Sequence, residues 1–229
     1  MTQITEHLAD IHERVARASR VAHRSDSRVV VVAVSKQQPP AAIREAFATG
    51  QRDFGESYAQ EALAKMDALA DLDITWHFVG RIQANKTREI AARFSWVHTV
   101  DRAKIAARLS DQRPHFAPPL NVLIQVNQAG EAQKSGVAPE RVAELAHDIA
   151  RLPRLKLRGL MTIPPADDEP TAWFERLAAQ RAELVAAGFE LDTLSMGMSN
   201  DFEAAVAAGS NCVRIGTAIF GLRSRGGAG

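Results

Sequence analysis

Cysteine and tyrosine each occur only once in this chain, and neither sign of charge is in surplus. The lone Cys212 rules out an internal disulfide. Its neighbours Val213 and Ile215 suggest a buried strand, so a reducing cytoplasm is the expected compartment. A net charge of +1, from 28 basic and 27 acidic residues spread along the sequence, leaves no broad electrostatic footprint for nucleic acid, although local anion sites stay open. No apolar run approaches the ~20 residues of a membrane span. The first residues lack a secretory apolar segment, and Glu6, Asp10 and Glu13 argue against a transit peptide. What is present is ordinary for a folded domain, 46% hydrophobic and 24% charged, which excludes disorder for the bulk of the chain.

Length sets the next bound. At 229 residues the chain fits one α/β domain, since barrels of ~200 to 250 residues are usual. No internal repeat or interdomain linker interrupts it. Ile4, Leu8, Ile11 and Val15 recur at helical spacing, predicting an extra N-terminal helix within residues 1–28. Strands are then expected at 29–35, 53–55, 76–80, 96–100, 120–126, 157–161, 193–196 and 212–215. Amphipathic helical stretches between them include 40–48, 58–69, 102–109, 139–152, 170–187 and 201–208. Eight βα units in one domain-sized chain predict a closed (β/α)8 barrel. An open doubly wound sheet is the alternative, weakened by the absence of a Gly-rich dinucleotide fingerprint after the first strand. Residues 224–229 form a Gly-rich tail expected to be disordered.

The run Val29-Val30-Val31-Val32-Ala33-Val34-Ser35-Lys36 reads as a parallel strand covered on both faces, ended by Pro39-Pro40. Lys36 therefore sits at a carboxyl strand end, where ligands bind in α/β folds. A partly desolvated amine there can attack a carbonyl; the bland alternative is a lysine reaching to solvent. After the seventh strand, Ser199 stands near a helix start, as an anion ligand or a plain N-cap. After the eighth, Gly216 permits close backbone approach and Thr217 offers a hydroxyl with its own N–H. Loops seven and eight are the habitual phosphate site of such barrels, and strand eight would neighbour strand one. A phosphate site beside a buried amine suggests pyridoxal 5'-phosphate (PLP). Arg214 is open to three readings: a donor to the pyridine nitrogen, a phosphate ligand, or half of a structural ion pair. His77 and Trp76 read mainly as core or rim packing, Asn85 as a helix cap, and Lys134 as a loop lysine either solvated or reaching a ligand.

The motifs Ala33-Val34-Ser35-Lys36, Phe54-Gly55-Glu56-Ser57-Tyr58, Trp76-His77-Phe78-Val79-Gly80, Gln83-Ala84-Asn85-Lys86, Lys134-Ser135-Gly136, Arg158-Gly159-Leu160-Met161, Gly197-Met198-Ser199 and 213–221 together closely resemble the pyridoxal-phosphate homeostasis proteins. That family is similar to the barrel domain of alanine racemase. The resemblance implies a PLP aldimine on Lys36, Arg214 at the pyridine nitrogen, and Ser199, Gly216, Thr217 and the backbone near Met198 at the phosphate. Ser57 stands where the family usually has asparagine near the ring, and Arg81, Ile82 and Ala84 depart from the family's usual loop.

By the same resemblance the expected function is intracellular vitamin B6 homeostasis or delivery by a non-catalytic, monomeric PLP carrier, with apo-enzymes as receiving partners and no membrane or nucleic acid. A PLP-dependent racemase is the alternative. It needs a second acid/base group facing Lys36, which alanine racemases supply as a tyrosine from a second domain; this chain is expected to lack that domain, and its only tyrosine is Tyr58. A class I aldolase ranks behind both.

Overall fold

The computed structural model describes residues 2–24, 28–131 and 133–221. Among these, eight strands form one closed parallel barrel in sequence order: β1 (Val30–Val34), β2 (Asp53–Glu56), β3 (Thr75–Phe78), β4 (Trp96–Val100), β5 (Leu120–Val126), β6 (Leu155–Thr162), β7 (Thr193–Ser195) and β8 (Cys212–Ile215). The seam is a ladder running from Val30↔Cys212 to Ala33↔Ile215. That pairing removes both sheet edges and excludes the open doubly wound alternative. The expected tail at 224–229 lies outside the described residues.

Helices α2 (Pro40–Ala48), α3 (Ala59–Ala68), α4 (Thr87–Arg93), α5 (Ala103–Gln112), α6 (Val142–Ala150), α7 (Thr171–Ala186) and α8 (Phe202–Ala207) separate the strands, after α1 (Gln3–Val21) and before α9 (Thr217–Phe220). The apolar stripe predicted for α1 is real: Leu8, Ile11 and Val15 are buried, at about 1.5 to 3 kcal/mol for each side chain removed from water. They pack α1 onto α8 and α9, where Arg14 pairs with Glu203 at 2.7 Å and His7 Nδ1 meets the Ile219 carbonyl at 2.9 Å. The N-terminal helix thereby braces the two short helices that follow β7 and β8.

Three local expectations need correction. β6 starts at Leu155, because the exposed Lys156 and the half-buried Leu157 and Arg158 form its polar first half and hide it from a search for apolar runs. Asn85 is not a helix cap. It lies inside a 3-10 turn, Ala84–Lys86, and the Thr87 hydroxyl bonds the Ala84 carbonyl to lead into α4. The helical stretch expected at 139–152 is divided into a 3-10 turn, Pro139–Arg141, and α6.

Candidate functional site

Four consecutive strand ends, β7, β8, β1 and β2, bring the predicted residues together at the carboxyl mouth of the barrel. Lys36 follows β1 and is half-buried. The register Val34↔Gly55 continues through Ser35 N–H donating to the Gly55 carbonyl at 2.9 Å, so Lys36 lies beside Ser57. On its other side β1 pairs with β8, which carries Arg214, Gly216 and Thr217. A side chain at Gly216 would point at the Val34 carbonyl 3.2 Å away, so glycine lets the end of β8 press against β1 next to Lys36. Ser57 is held still closer to the segment after β3, where a side chain at Gly80 would overlap the Ser57 carbonyl.

The turn carrying Lys36 is strained and clamped. Gln37 has φ +61°, a left-handed conformation that β-carbon sterics disfavour outside glycine. Its N–H donates to Glu61 Oε1 at 2.5 Å, and one residue before Lys36 the Ser35 carbonyl accepts from Lys65 Nζ at 2.7 Å. Lys65 is itself buried between Glu56 Oε1, at 2.8 Å, and Glu61 Oε1, at 2.6 Å, and the Ser35 hydroxyl donates to Glu56 at 2.7 Å. Burial pushes the Glu56 carboxyl above its ordinary range against the opposing charge and hydrogen bond of Lys65. Sequence reasoning missed this cluster; its one visible sign was the i,i+4 spacing of Glu61 and Lys65.

Ser199 is not the N-cap of its own helix. Asp201 occupies that position, and its carboxylate accepts the Met198 N–H at 2.6 Å. The half-buried Ser199 instead accepts the Ala218 N–H at 3.3 Å, which ties the β7 loop to the first turn of α9. Thr217 is exposed beside it. Hydroxyl and N–H groups from both loops thus converge at one place.

Arg214 points into the barrel and is buried. Nη1 donates to Ser195 Oγ at 2.7 Å and Nη2 to the Thr162 carbonyl at 2.9 Å. No ion pair of Arg214 with a carboxylate occurs among the described residues. Burial lowers its pKa, yet a guanidinium starts so high that it stays charged at neutral pH.

Residues set aside as packing or loop behave as follows. His77 and Trp76 are buried, as expected of core, but His77 faces the amino mouth of the barrel through Asp53. Lys134 pairs with Glu131 at 2.6 Å and lines a rim cavity of about 230 Å³ with Gly80, Thr99 and Gln125. Cys212 is buried in β8, and burial raises its thiol to about 11. No group of acidic, histidine or cysteine side chains among the described residues is arranged to hold a metal, and no described helix is long and apolar enough to cross a membrane.

Comparison with known proteins agrees with the barrel fold. The family model described as the alanine racemase N-terminal domain matches residues 7–224. A pyridoxal phosphate homeostasis protein of Pseudomonas aeruginosa is 54% identical over 226 residues, covering 99% of this chain and 98% of that relative. Another of the same name from Escherichia coli K12 is 48% identical, covering 97% and 98%. Among solved structures, PipY of Synechococcus elongatus with PLP bound superimposes with a TM-score of 0.84 at 37% identity, covering 95% of this chain and 100% of that one. Alanine racemase of Corynebacterium glutamicum, 18% identical, shares the fold at a TM-score of 0.67, with 63% of its own length covered.

Proposed function

The chain belongs to the pyridoxal phosphate homeostasis proteins, single barrels of the alanine racemase N-terminal domain type, and from that membership we propose that it binds PLP at the β7, β8, β1 and β2 strand ends. The observation carrying the proposal is the donor set gathered there: the Lys36 amine, the Arg214 guanidinium, and the hydroxyls and N–H groups around Ser199 and Ala218. These residues fit the cofactor, because each donor type has a matching acceptor on it. Phosphate oxygens suit the hydroxyls and N–H groups, an aldehyde suits the amine, and an unprotonated ring nitrogen suits a group that only donates. Bound there, the cofactor supplies an aldehyde that a lysine amine captures reversibly.

The chain's own residues divide the work. Lys36 presents Nζ from a turn fixed on both sides by Lys65 and Glu61. Ser199, Gly216 and Thr217 hold the phosphate, with Met198 forming the outer side of the same loop and Ser57 flanking Lys36 from β2. Arg214 donates to the ring nitrogen and leaves it unprotonated, which makes the ring a weaker electron sink than a carboxylate partner would. We read the chain as a holder of the cofactor, serving B6 homeostasis by uptake and delivery to apo-enzymes in the cytoplasm as a monomer. Tyr58 is 56% exposed and lines a rim cavity of about 230 Å³ with Ser57, Arg81 and Lys86, and that exposure does not favour it as a second base opposite Lys36.

The test adds PLP to the protein, reduces with borohydride and maps the label by peptide mass spectrometry. The expected label is on Lys36, with visible absorbance lost on reduction. A wild-type label found only on other lysines would overturn the site. Turnover of single amino-acid enantiomers at ~1 per second or faster would replace the carrier reading with the racemase.

A further inference from the structure

A line of hydrogen bonds crosses the inside of the barrel from one mouth to the other. Arg214 Nη1 donates to Ser195 Oγ at 2.7 Å; Ser195 Oγ lies 2.9 Å from His98 Nδ1; His98 Nε2 lies 2.9 Å from His77 Nδ1; and His77 Nε2 lies 2.9 Å from Asp53 Oδ1. The four residues from Arg214 to His77 are at most 5% exposed, while the Asp53 side chain is 26% exposed at the amino mouth. Trp96 stacks on His77 with ring centroids 5.7 Å apart and planes 11° from parallel, and His98 meets His77 edge-on at 5.1 Å. The rings are therefore packed in place.

Donor and acceptor roles along this line follow from its two ends. The Asp53 carboxylate only accepts, so a neutral His77 donates to it from Nε2 and accepts at Nδ1. A neutral His98 then donates to His77 from Nε2 and accepts at Nδ1. The Ser195 hydroxyl, whose oxygen accepts from the donor-only guanidinium, gives its proton to His98 Nδ1. Every bond points the same way. The arrangement gives the buried cation a counter-charge while keeping that carboxylate three neutral groups away from the carboxyl mouth.

We propose that Ser195, His98, His77 and Asp53 are positioning residues that act on bound PLP through Arg214, orienting its guanidinium and holding a carboxylate away from the cofactor ring. This role rests on the PLP reading given above. The chain's direction does not, since it is a property of the protein alone.

The experiment has two arms. Nitrogen-15 NMR of the ligand-free protein at pH 7 should show His77 and His98 both neutral and both protonated at Nε2; an Nδ1–H tautomer or an imidazolium at either ring overturns the directed chain. In the second arm, wild-type protein and Ser195→Ala are titrated with PLP. Removing the hydroxyl should weaken binding by about tenfold, the scale of one hydrogen bond to a charged group, and shift the absorbance maximum at full occupancy, with Lys36 still labelled. Identical affinity and spectrum in Ser195→Ala overturn the positioning role alone. Wild type that takes up no PLP overturns the functional reading itself, and with it any role for Arg214 toward the cofactor. Should Ser195→Ala fail to fold, Asp53→Asn at the partly exposed end replaces it under the same criteria.

Discussion

The barrel buries polar groups in two ways, and the cluster beneath Lys36 contrasts with the line behind Arg214. In the cluster, charges touch: Lys65 sits 2.8 Å from Glu56 and 2.6 Å from Glu61, with Ser35 between the backbone and Glu56. In the line, the guanidinium and the carboxylate of Asp53 are separated by one hydroxyl and two imidazoles. The cluster depends on direct attraction between desolvated ions and fails badly when one partner is lost. The line depends on each neutral group having its donor and acceptor matched, so that breaking it costs desolvation of a few uncharged atoms. The first secures a strained backbone turn; the second aims a side chain.

This contrast sets an order of stability losses. Lys65→Met leaves two carboxylates without their shared amine and is expected to cost about 3 to 5 kcal/mol, read as a drop in the urea midpoint at constant slope. His98→Leu strands the Ser195 hydroxyl and His77 Nδ1 and should cost roughly 1 to 3 kcal/mol in the same assay. If His98→Leu proves the costlier of the two, the distinction between charged and neutral networks collapses.

The smallest expected effect is in the pH dependence, where the two regions have opposite signs. Burial holds both imidazoles below the ordinary value of 6.5, aided at His98 by the charges of His77 and Arg214 and opposed at His77 by Asp53. The folded chain therefore binds fewer protons there than the unfolded one, and this contribution, complete above pH 6.5, is lost as the pH falls below it. Glu56 is raised above 4.5, so its contribution is complete below that pH and is lost as pH rises through its folded value. Urea titrations from about pH 4.5 to 6.5 should show Glu56→Gln steepening the acid loss and His98→Leu flattening it. Matching slopes for the two variants would contradict the assignment.

Much of the barrel was legible because β-branched and apolar runs mark buried parallel strands: Trp96–Val100, Leu120–Val126 and Cys212–Ile215 match the expected bounds. Strand order in a closed barrel also placed Lys36 beside the loop of Gly216 without further information. Helix α4 escaped because the seven residues Thr87–Arg93 are too few to display a helical period. The two networks escaped for a different reason. Ser195 and His98 are 97 positions apart, Ser35 and Lys65 are 30 apart, and each residue alone looks like an ordinary polar side chain. Only the mid-strand placement of His77 and His98 hinted that something inside the barrel must satisfy them.

The seam between β1 and β8 also governs when the candidate site comes into being. Lys36 directly follows the first strand and Arg214 lies in the last, so the two meet only after the ring closes. At ribosomal speeds of ~5 to 20 residues per second, about 10 to 40 seconds separate their synthesis. Through that interval the nascent chain has its lysine but none of the β8 donors, and the sequence-distant pairing that closes the seam is a slow kind of contact to form. Assembly of the candidate site is thus tied to completed folding, and an incompletely closed chain presents only its β1 side.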